Sequence, residues 1–156
     1  MGTGVAGLGL VGAGYAGIGG QDGTTRDDSG AVVEGGDLGA FRIQLGDCLQ
    51  DMGSGTFESV PAVPCAEPHT YEVYGAFMLP SGAYPGLAAV NQAADEGCYE
   101  RFAPFTGIAF EQSPYGFSSI TPTSEGWAEL DDREILCLIG DPNGGTVTGS
   151  LARSGA

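Results

Sequence analysis

The chain has 156 residues, of which 42% are hydrophobic, and its 20 acidic side chains against five basic ones give a net charge of −15. This length and apolar content predict one domain with a core of its own. The charge excludes a nucleic-acid partner, because an acidic surface repels phosphate groups.

The first segment, residues 5–20, is uncharged and glycine-rich (VAGLGLVGAGYAGIGG). It contains two overlapping G-x-G-x-x-G matches, but no strand pattern precedes them and no crossover helix can follow, so a dinucleotide site is disfavoured. A membrane-spanning helix needs about 20 apolar residues and tolerates small ones. We interpret residues 1–20 as the remnant of an N-terminal membrane anchor, with a disordered tail as the alternative.

Residues 21–39 are polar and contain glycine and aspartate throughout. Such a composition buries too little apolar surface to order itself. We therefore predict an acidic flexible linker over 21–39 and a folded domain over 40–156.

The domain opens with a predicted hairpin. Phe41, Ile43 and Leu45 alternate with polar residues, which predicts a first strand, and the glycines of residues 53–55 predict a turn. A second strand is predicted over 57–63.

The next segment contains the only histidine, His69, which directly follows the second of two prolines. Pro64 and Pro68 remove backbone donors and favour extended geometry, so the segment before the histidine is expected to be a rigid turn. Residues 71–79 then alternate with a period of two, which predicts a third strand.

One long helix is predicted to begin at Tyr84-Pro85-Gly86 and to end at Pro104. Its apolar residues fall at helical spacing on one stripe: Leu87, Val90, Ala94, Cys98 and Phe102. Strands are predicted over 115–121 and 134–140, the second as a continuous apolar run typical of a central strand. The fold class predicted is α+β, with one main helix packed on an antiparallel sheet.

The four cysteines allow three disulfide pairings. They are Cys48, Cys65, Cys98 and Cys137. Without a C-x-x-C unit, two disulfides are favoured over zinc, and they indicate an oxidising, extracytoplasmic compartment. A Cys48–Cys65 bridge would close the hairpin, and a Cys98–Cys137 bridge would join the helix to the last strand.

Seven short motifs carry a resemblance to a known family. They are Gly46-Asp47-Cys48, Val63-Pro64-Cys65-x-x-Pro68-His69-x-x-Glu72-Val73, Tyr84-Pro85-Gly86, Cys98-x-x-x-Phe102, Pro122 followed by Trp127, Asp132-Arg133-x-x-x-Cys137 and Gly149-Ser150-Leu151. In these motifs the chain resembles the actinobacterial septum formation family. The resemblance implies a single-pass cell-membrane protein with its domain on the extracytoplasmic side, an association with cell division and no established catalytic residues. Asp131 stands where the family usually has glycine.

His69 is the candidate catalytic base, since its unperturbed pKa lies near neutrality and Asp47, Glu67 and Glu72 are candidate orienting acids. No serine lies in a G-x-S-x-G elbow, and the cysteines are expected to be bridged, so no nucleophile is identified. A structural role for His69 is therefore favoured over a catalytic one.

Two further candidates are Arg133, which would clamp an anion or pair with a neighbouring acid, and Trp127, which would line a glycan or peptide surface or lie in the core. The candidate recognition or structural polar residues are Asp47, His69, Glu72, Trp127, Asp132 and Arg133. We expect no cofactor, no metal and no catalytic residue. The expected function is a membrane-tethered module that binds an envelope or division protein; the alternatives are an envelope hydrolase using His69 and a small-ligand binder.

Overall fold

The computed structural model of the chain describes residues 4–6, 22–53 and 55–155. Its strands in chain order are β1 (Gly4–Ala6), β2 (Thr25–Arg26), β3 (Val32–Glu34), β4 (Gly36–Gly39), β5 (Cys48–Leu49), β6 (Ser59–Val63), β7 (Tyr71–Met78), β8 (Gly116–Thr121) and β9 (Glu134–Gly140). Seven of them form one sheet in the order β1-β8-β9-β7-β5-β6-β4, and β2 pairs with β3 separately. Neighbours in the large sheet are antiparallel except for the parallel pair β1 and β8.

In the described part of the chain two α-helices accompany the sheet: α1 (Leu87–Thr106) and the shorter α2 (Ser124–Leu130). Short 3-10 turns lie at Ala40–Arg42 and Phe110–Gln112. Helix α1 packs across β7 and β8. The predicted α+β class, with one main helix on an antiparallel sheet, is confirmed.

Strand β9 separates two hydrophobic clusters, which explains its continuous apolar sequence. Ile135, Cys137 and Ile139 pack in the cluster beneath α1. Leu136 and Leu138 pack in the cluster on the other face of the sheet. Because both faces of this strand are covered, successive residues need apolar side chains whichever face they lie on.

A β-bulge in β7 interrupts the predicted alternation. Val73 pairs with Leu138 and Gly75 pairs with Cys137, so one extra residue of β7 fits between them. Val73 belongs to the cluster away from α1, whereas Phe77, at the same parity, packs against the cluster beneath it. A bulge exchanges the two faces of a strand, which a period of two cannot anticipate.

The first predicted strand is wrong, because residues 41–45 contain the end of a 3-10 turn followed by a loop. The turn places Ala40 and Ile43, three residues apart, in the core at 4% and 5% exposure, whereas Leu45 is 62% exposed. A spacing of three is that of a 3-10 helix. The second predicted strand is confirmed as β6, and its hairpin partner is β5.

Helix α1 starts later and ends later than predicted. It begins at Leu87 and continues past Pro104 to Thr106, where Gly107 adopts a left-handed φ of 87° and donates to Ala103 O at 2.8 Å. A proline in the last turn removes only one intrahelical donor, so the helix tolerates it. The apolar stripe is buried as predicted from Val90 to Phe102, but Leu87 is 58% exposed. Helix α2, capped by the Thr123 hydroxyl, was not predicted.

The segment predicted as a flexible linker differs from that description over residues 22–39, which contribute β2, β3 and β4. Strand β4 pairs with β6, and Leu38 is completely buried. These contacts come from distant residues and are not visible in local composition. Most of the predicted anchor, residues 7–20, lies outside the described residues. Within the described ranges, none of the helices is both long and apolar enough to cross a bilayer.

Candidate functional site

Both predicted disulfides are present and use all four cysteines. Cys48 and Cys65 are bonded at 2.03 Å and link β5 to the loop after β6. Cys98 and Cys137 are bonded at 2.04 Å and link α1 to β9. The predicted pairing is confirmed. In this oxidised state no thiol is available as a nucleophile or as a metal ligand.

The first group of predicted site residues forms what we call the disulfide cluster: Cys48, Cys65, His69 and Glu72. Cys48 pairs across the sheet with Glu72. The Sγ of Cys48, a ring nitrogen of His69 and a carboxylate oxygen of Glu72 lie within 4.8 Å of one another. Cys48, His69 and Glu72 are all buried. The fold therefore assembles the type of side chains that bind metals, but the disulfide occupies the sulfur.

His69 is held on both its backbone and its ring. Its backbone N–H and C=O pair with Val147 at 2.9 and 2.8 Å, and its ring Nδ1 donates to Glu67 O at 2.7 Å. Within the described part of the chain, Nε2 is buried without a hydrogen-bond partner. The side chain is only 1% exposed, so an external substrate does not reach it in this structure.

Glu72 is fixed by the C-terminal segment, residues 147–151. Its carboxylate accepts from Ser150 Oγ at 2.6 Å and from the backbone N–H of Leu151 at 2.8 Å. The neighbouring Gly149, at φ 87°, donates its N–H to Cys65 O at 2.7 Å. The segment thus covers the disulfide cluster. In the sequence Gly149-Ser150-Leu151 is visible only as a motif of the family resemblance, and its contact with Glu72 was not predicted.

Asp47 adjoins the cluster but faces a different partner. Its carboxylate is 3% exposed and accepts from Arg26 Nη1 and Nη2 at 2.7 and 2.9 Å, and from the backbone N–H of Gln44 at 2.8 Å. These bonds raise the pKa of Arg26 above its ordinary value. Asp47 is therefore engaged in joining the β2–β3 hairpin to the domain, and not in orienting His69.

The second group, which we call the tryptophan cluster, contains Trp127, Asp132 and Arg133. The Arg133 guanidinium carbon lies 3.7 Å from the Trp127 ring centroid, which is cation–π geometry. Arg133 also donates to the backbone oxygens of Trp127 and Asp132 and pairs with Asp131 at 3.1 Å. The internal pair expected for Arg133 is therefore made with Asp131.

Asp132 is the titratable group most perturbed at this cluster. Burial raises its pKa to about 6, since the charged carboxylate loses solvation. Its Oδ1 accepts from the backbone N–H of Glu134 at 3.2 Å, while Oδ2 is buried and unpartnered among the described residues. The carboxyl group thus favours its protonated form more than an exposed aspartate does.

Trp127 borders an open groove of about 300 Å³ that is lined mainly by apolar atoms. Its lining residues are Leu79, Pro80, Ser81, Ala83, Pro85, Ala89, Val90, Ala93 and Trp127. The indole donates from Nε1 to Gly82 O at 2.9 Å and meets the Tyr84 ring edge-on at 5.7 Å. Phe110 and Phe117 pack away from Trp127, in the hydrophobic cluster beneath α1, with their ring centroids 5.1 Å apart.

A model of a family described as Septum formation matches the chain over residues 19–115 and 45–155. A protein named as lipoprotein LppN from Mycobacterium bovis is 33% identical over 117 residues, or 72% of this chain and 64% of that protein. Its Mycobacterium tuberculosis counterpart is 32% identical over the same shares of both chains. A membrane protein of Mycobacterium tuberculosis is 28% identical over 113 residues, or 65% of this chain and 24% of that protein.

The chain therefore corresponds to 64% of the length of the lipoprotein relatives and to 24% of the membrane protein. No solved structure matches it.

Proposed function

The chain belongs to the septum formation family, and from that premise we propose that it is a non-enzymatic, membrane-tethered extracytoplasmic module that binds another envelope or division protein. Two relatives are named as lipoproteins and one as a membrane protein, which supports a membrane location. Two disulfides support an oxidising compartment outside the cytosol. The family description supports a role in septum formation.

The observation that carries the binding role is the apolar groove beside Trp127. Partner-binding sites place apolar side chains in desolvated pockets surrounded by a polar rim. Here the apolar groove lies on a chain of net charge −15, and its lining residues Ala83, Pro85 and Ala89 are exposed. A partner that inserts an apolar side chain into the groove would remove apolar surface from water, which favours binding.

The hydrolase alternative receives less support from the geometry. The candidate base His69 is 1% exposed, and the candidate acids Asp47 and Glu72 are held by hydrogen bonds from Arg26 and from Ser150 and Leu151, respectively. A general base must lie within hydrogen-bond reach of the proton it removes. A buried ring sealed by the C-terminal segment does not meet that condition.

The proposal is tested with a matched pair of helix substitutions. Ala89 lines the groove and Ala88, the preceding residue of α1, does not, and both are exposed. Ala89→Glu places a charge in the groove, whereas Ala88→Glu adds the same charge beside it. Each variant and the wild type are expressed, at equal protein abundance, in a mycobacterial host whose own related gene has been deleted, and septum spacing is measured. The thermal midpoints of the purified proteins are compared to show that both variants fold equally well.

We expect the wild type and Ala88→Glu to restore normal septa and Ala89→Glu to fail. A photo-crosslinking residue at position 89 should capture a membrane or division protein that the same residue at position 88 does not capture. Equal complementation by both variants would contradict the proposal that the groove binds the partner. Normal septa in the host without any copy would remove the division role.

A further inference from the structure

We propose that the disulfide cluster becomes a zinc site when the Cys48–Cys65 bridge is reduced, with Cys48, Cys65, His69 and Glu72 as the four ligands. This inference is independent of the groove and of its partner. It assigns a second, redox-dependent state to residues that the oxidised protein uses only as a crosslink and its support.

The first argument is the convergence of ligand types. A sulfur, an imidazole nitrogen and a carboxylate oxygen already lie within 4.8 Å of one another. In a tetrahedral zinc site with bonds of about 2.0–2.3 Å, ligand atoms are roughly 3.3–3.8 Å apart. The three side chains therefore need to close by only about 1 Å to reach the metal-bound spacing. Cys65 is bonded to Cys48 at 2.03 Å but lies outside that group of three, so its side chain would turn toward them to supply the fourth ligand once the bond opens.

The second argument is the unpartnered nitrogen of His69. Nδ1 donates to Glu67 O at 2.7 Å, which fixes the tautomer that leaves the lone pair on Nε2. Nε2 is buried without a partner in the described residues, on a side chain that is 1% exposed. A carbonyl that orients a histidine through its other nitrogen is the usual support of a metal-binding imidazole. A buried acceptor without a donor is costly, and a cation would satisfy it.

The third argument is that the carboxylate ligand is also held in place. Ser150 Oγ and the Leu151 N–H donate to the two oxygens of Glu72 at 2.6 and 2.8 Å. Each oxygen retains a lone pair, because a carboxylate accepts about four hydrogen bonds. Opening the bridge leaves a buried thiol at Cys48 beside this carboxylate, and a divalent cation stabilises the thiolate that forms when the metal displaces the thiol proton.

The chemistry balances as follows. A dithiol reductant transfers two electrons and two protons to the Sγ–Sγ bond, becomes a cyclic disulfide and leaves two cysteine thiols. Zinc binding then displaces those two protons to solvent and forms two zinc–sulfur bonds. In the reverse reaction a disulfide oxidant accepts two electrons from the thiolates and two protons from solvent and becomes a dithiol, while the Cys48–Cys65 bridge reforms and the metal is released.

The experiment uses the full chain, treated with a limiting dithiol under native conditions and checked by mass spectrometry for opening of the first bridge. Co²⁺ is added as a spectroscopic probe and displaced by Zn²⁺. The oxidised chain and Cys48→Ser/Cys65→Ser are the controls without thiolates. Glu72→Gln is matched by Glu129→Gln, the same change at an exposed glutamate outside the cluster.

We expect the reduced wild type to bind one Co²⁺ with thiolate charge-transfer and tetrahedral d–d bands, and the two controls to bind none. His69→Gln and Glu72→Gln should weaken binding by at least about tenfold, while Glu129→Gln leaves it unchanged. Because His69 is the only histidine, its two ¹⁵N ring signals report on the wild type directly, and zinc should shift Nε2. Absence of metal binding in the reduced chain, or an unshifted Nε2, would overturn the proposal.

Discussion

The guanidinium of Arg26 and the carboxylate of Asp47 form a two-point ion pair, with Nη1–Oδ1 and Nη2–Oδ2 distances of 2.7 and 2.9 Å. Arg26 belongs to β2 and Asp47 precedes β5, so the pair fastens the N-terminal hairpin to the main sheet. The side chains are 14% and 3% exposed. This contact explains why residues that read as a linker are part of the folded body.

Arg26→Met should therefore lower the free energy of unfolding by about 3 kcal/mol, since it leaves the Asp47 charge buried without its partner. Arg153→Met, at an exposed arginine, should change it by less than about 0.5 kcal/mol. Urea denaturation of both variants measures the difference. Equal stabilities would show that the ion pair does not hold the hairpin.

The two disulfides should be reduced in a fixed order. Cys65 is partly exposed, whereas Cys98 and Cys137 have no exposed surface, so a dithiol reaches the Cys48–Cys65 bridge first. Timed alkylation followed by peptide mass mapping measures both rates. Faster opening of Cys98–Cys137 would contradict the burial argument.

The bridges should also differ in their contribution to stability. They close loops of 17 and 39 residues. Loop entropy then predicts losses of about 3 kcal/mol for Cys48→Ala/Cys65→Ala and about 4 kcal/mol for Cys98→Ala/Cys137→Ala. Denaturant midpoints of the two variants provide the comparison, and the reverse order would show that packing outweighs loop entropy here.

Asp132 should make stability depend on pH. Its pKa in the folded chain is about 6, above its ordinary 3.8, because burial disfavours the charged form. The folded state therefore binds this proton more tightly than the unfolded state does. The stabilisation is complete below about pH 4 and is lost as pH rises through about 6.

Asp132→Asn should remove this dependence and raise the free energy of unfolding at pH 7 relative to the wild type. Asp28→Asn, the same change at an exposed position, serves as the control. The difference between wild type and variant is measured by urea denaturation at pH 4, 5, 6 and 7. A difference that does not grow with pH would contradict the assigned pKa.

Gly97→Ala should destabilise the protein although alanine is the better helix former. A Cβ at position 97 would overlap the Phe77 ring, which packs against α1. The helix-propensity gain of about 1 kcal/mol is smaller than the 1–3 kcal/mol that overpacking typically costs. Adding Phe77→Leu should restore part of the loss in thermal midpoint. An increase in stability from Gly97→Ala alone would show that the ring moves freely.

His69→Ala should lower the free energy of unfolding by about 3 kcal/mol, because it empties a buried site and removes the bond from Nδ1 to Glu67 O. His69→Gln should cost less, since its amide fills more of the space. Stability is measured by denaturation, and turnover is assayed in parallel on cell-wall fragments. Unchanged stability together with the loss of a measurable turnover would favour the hydrolase alternative.

The sequence by itself determined the elements whose signal is local. The periodicities of β6, β8, β9 and α1 predict those elements within a few residues, because the buried face of each repeats at the spacing of its own secondary structure. The predicted disulfide pairing is present, although the first strand of the hairpin on which the Cys48–Cys65 prediction relied is a 3-10 turn followed by a loop. The family motifs indicated the septum formation family, which the match to the family model confirms.

Only the tertiary structure decided what depends on distant contacts. The bond from Ser150 to Glu72 joins residues 78 apart, and the bond from Arg26 to Asp47 joins residues 21 apart. Neither leaves a periodic trace in the sequence. The bulge between Val73 and Gly75 likewise exchanges the faces of β7 at a point set by its neighbour β9. From sequence alone a polar side chain is expected to be exposed, because the distant segment that buries it is not known. The cluster formed by the buried His69 and Glu72 is therefore visible only in the folded structure.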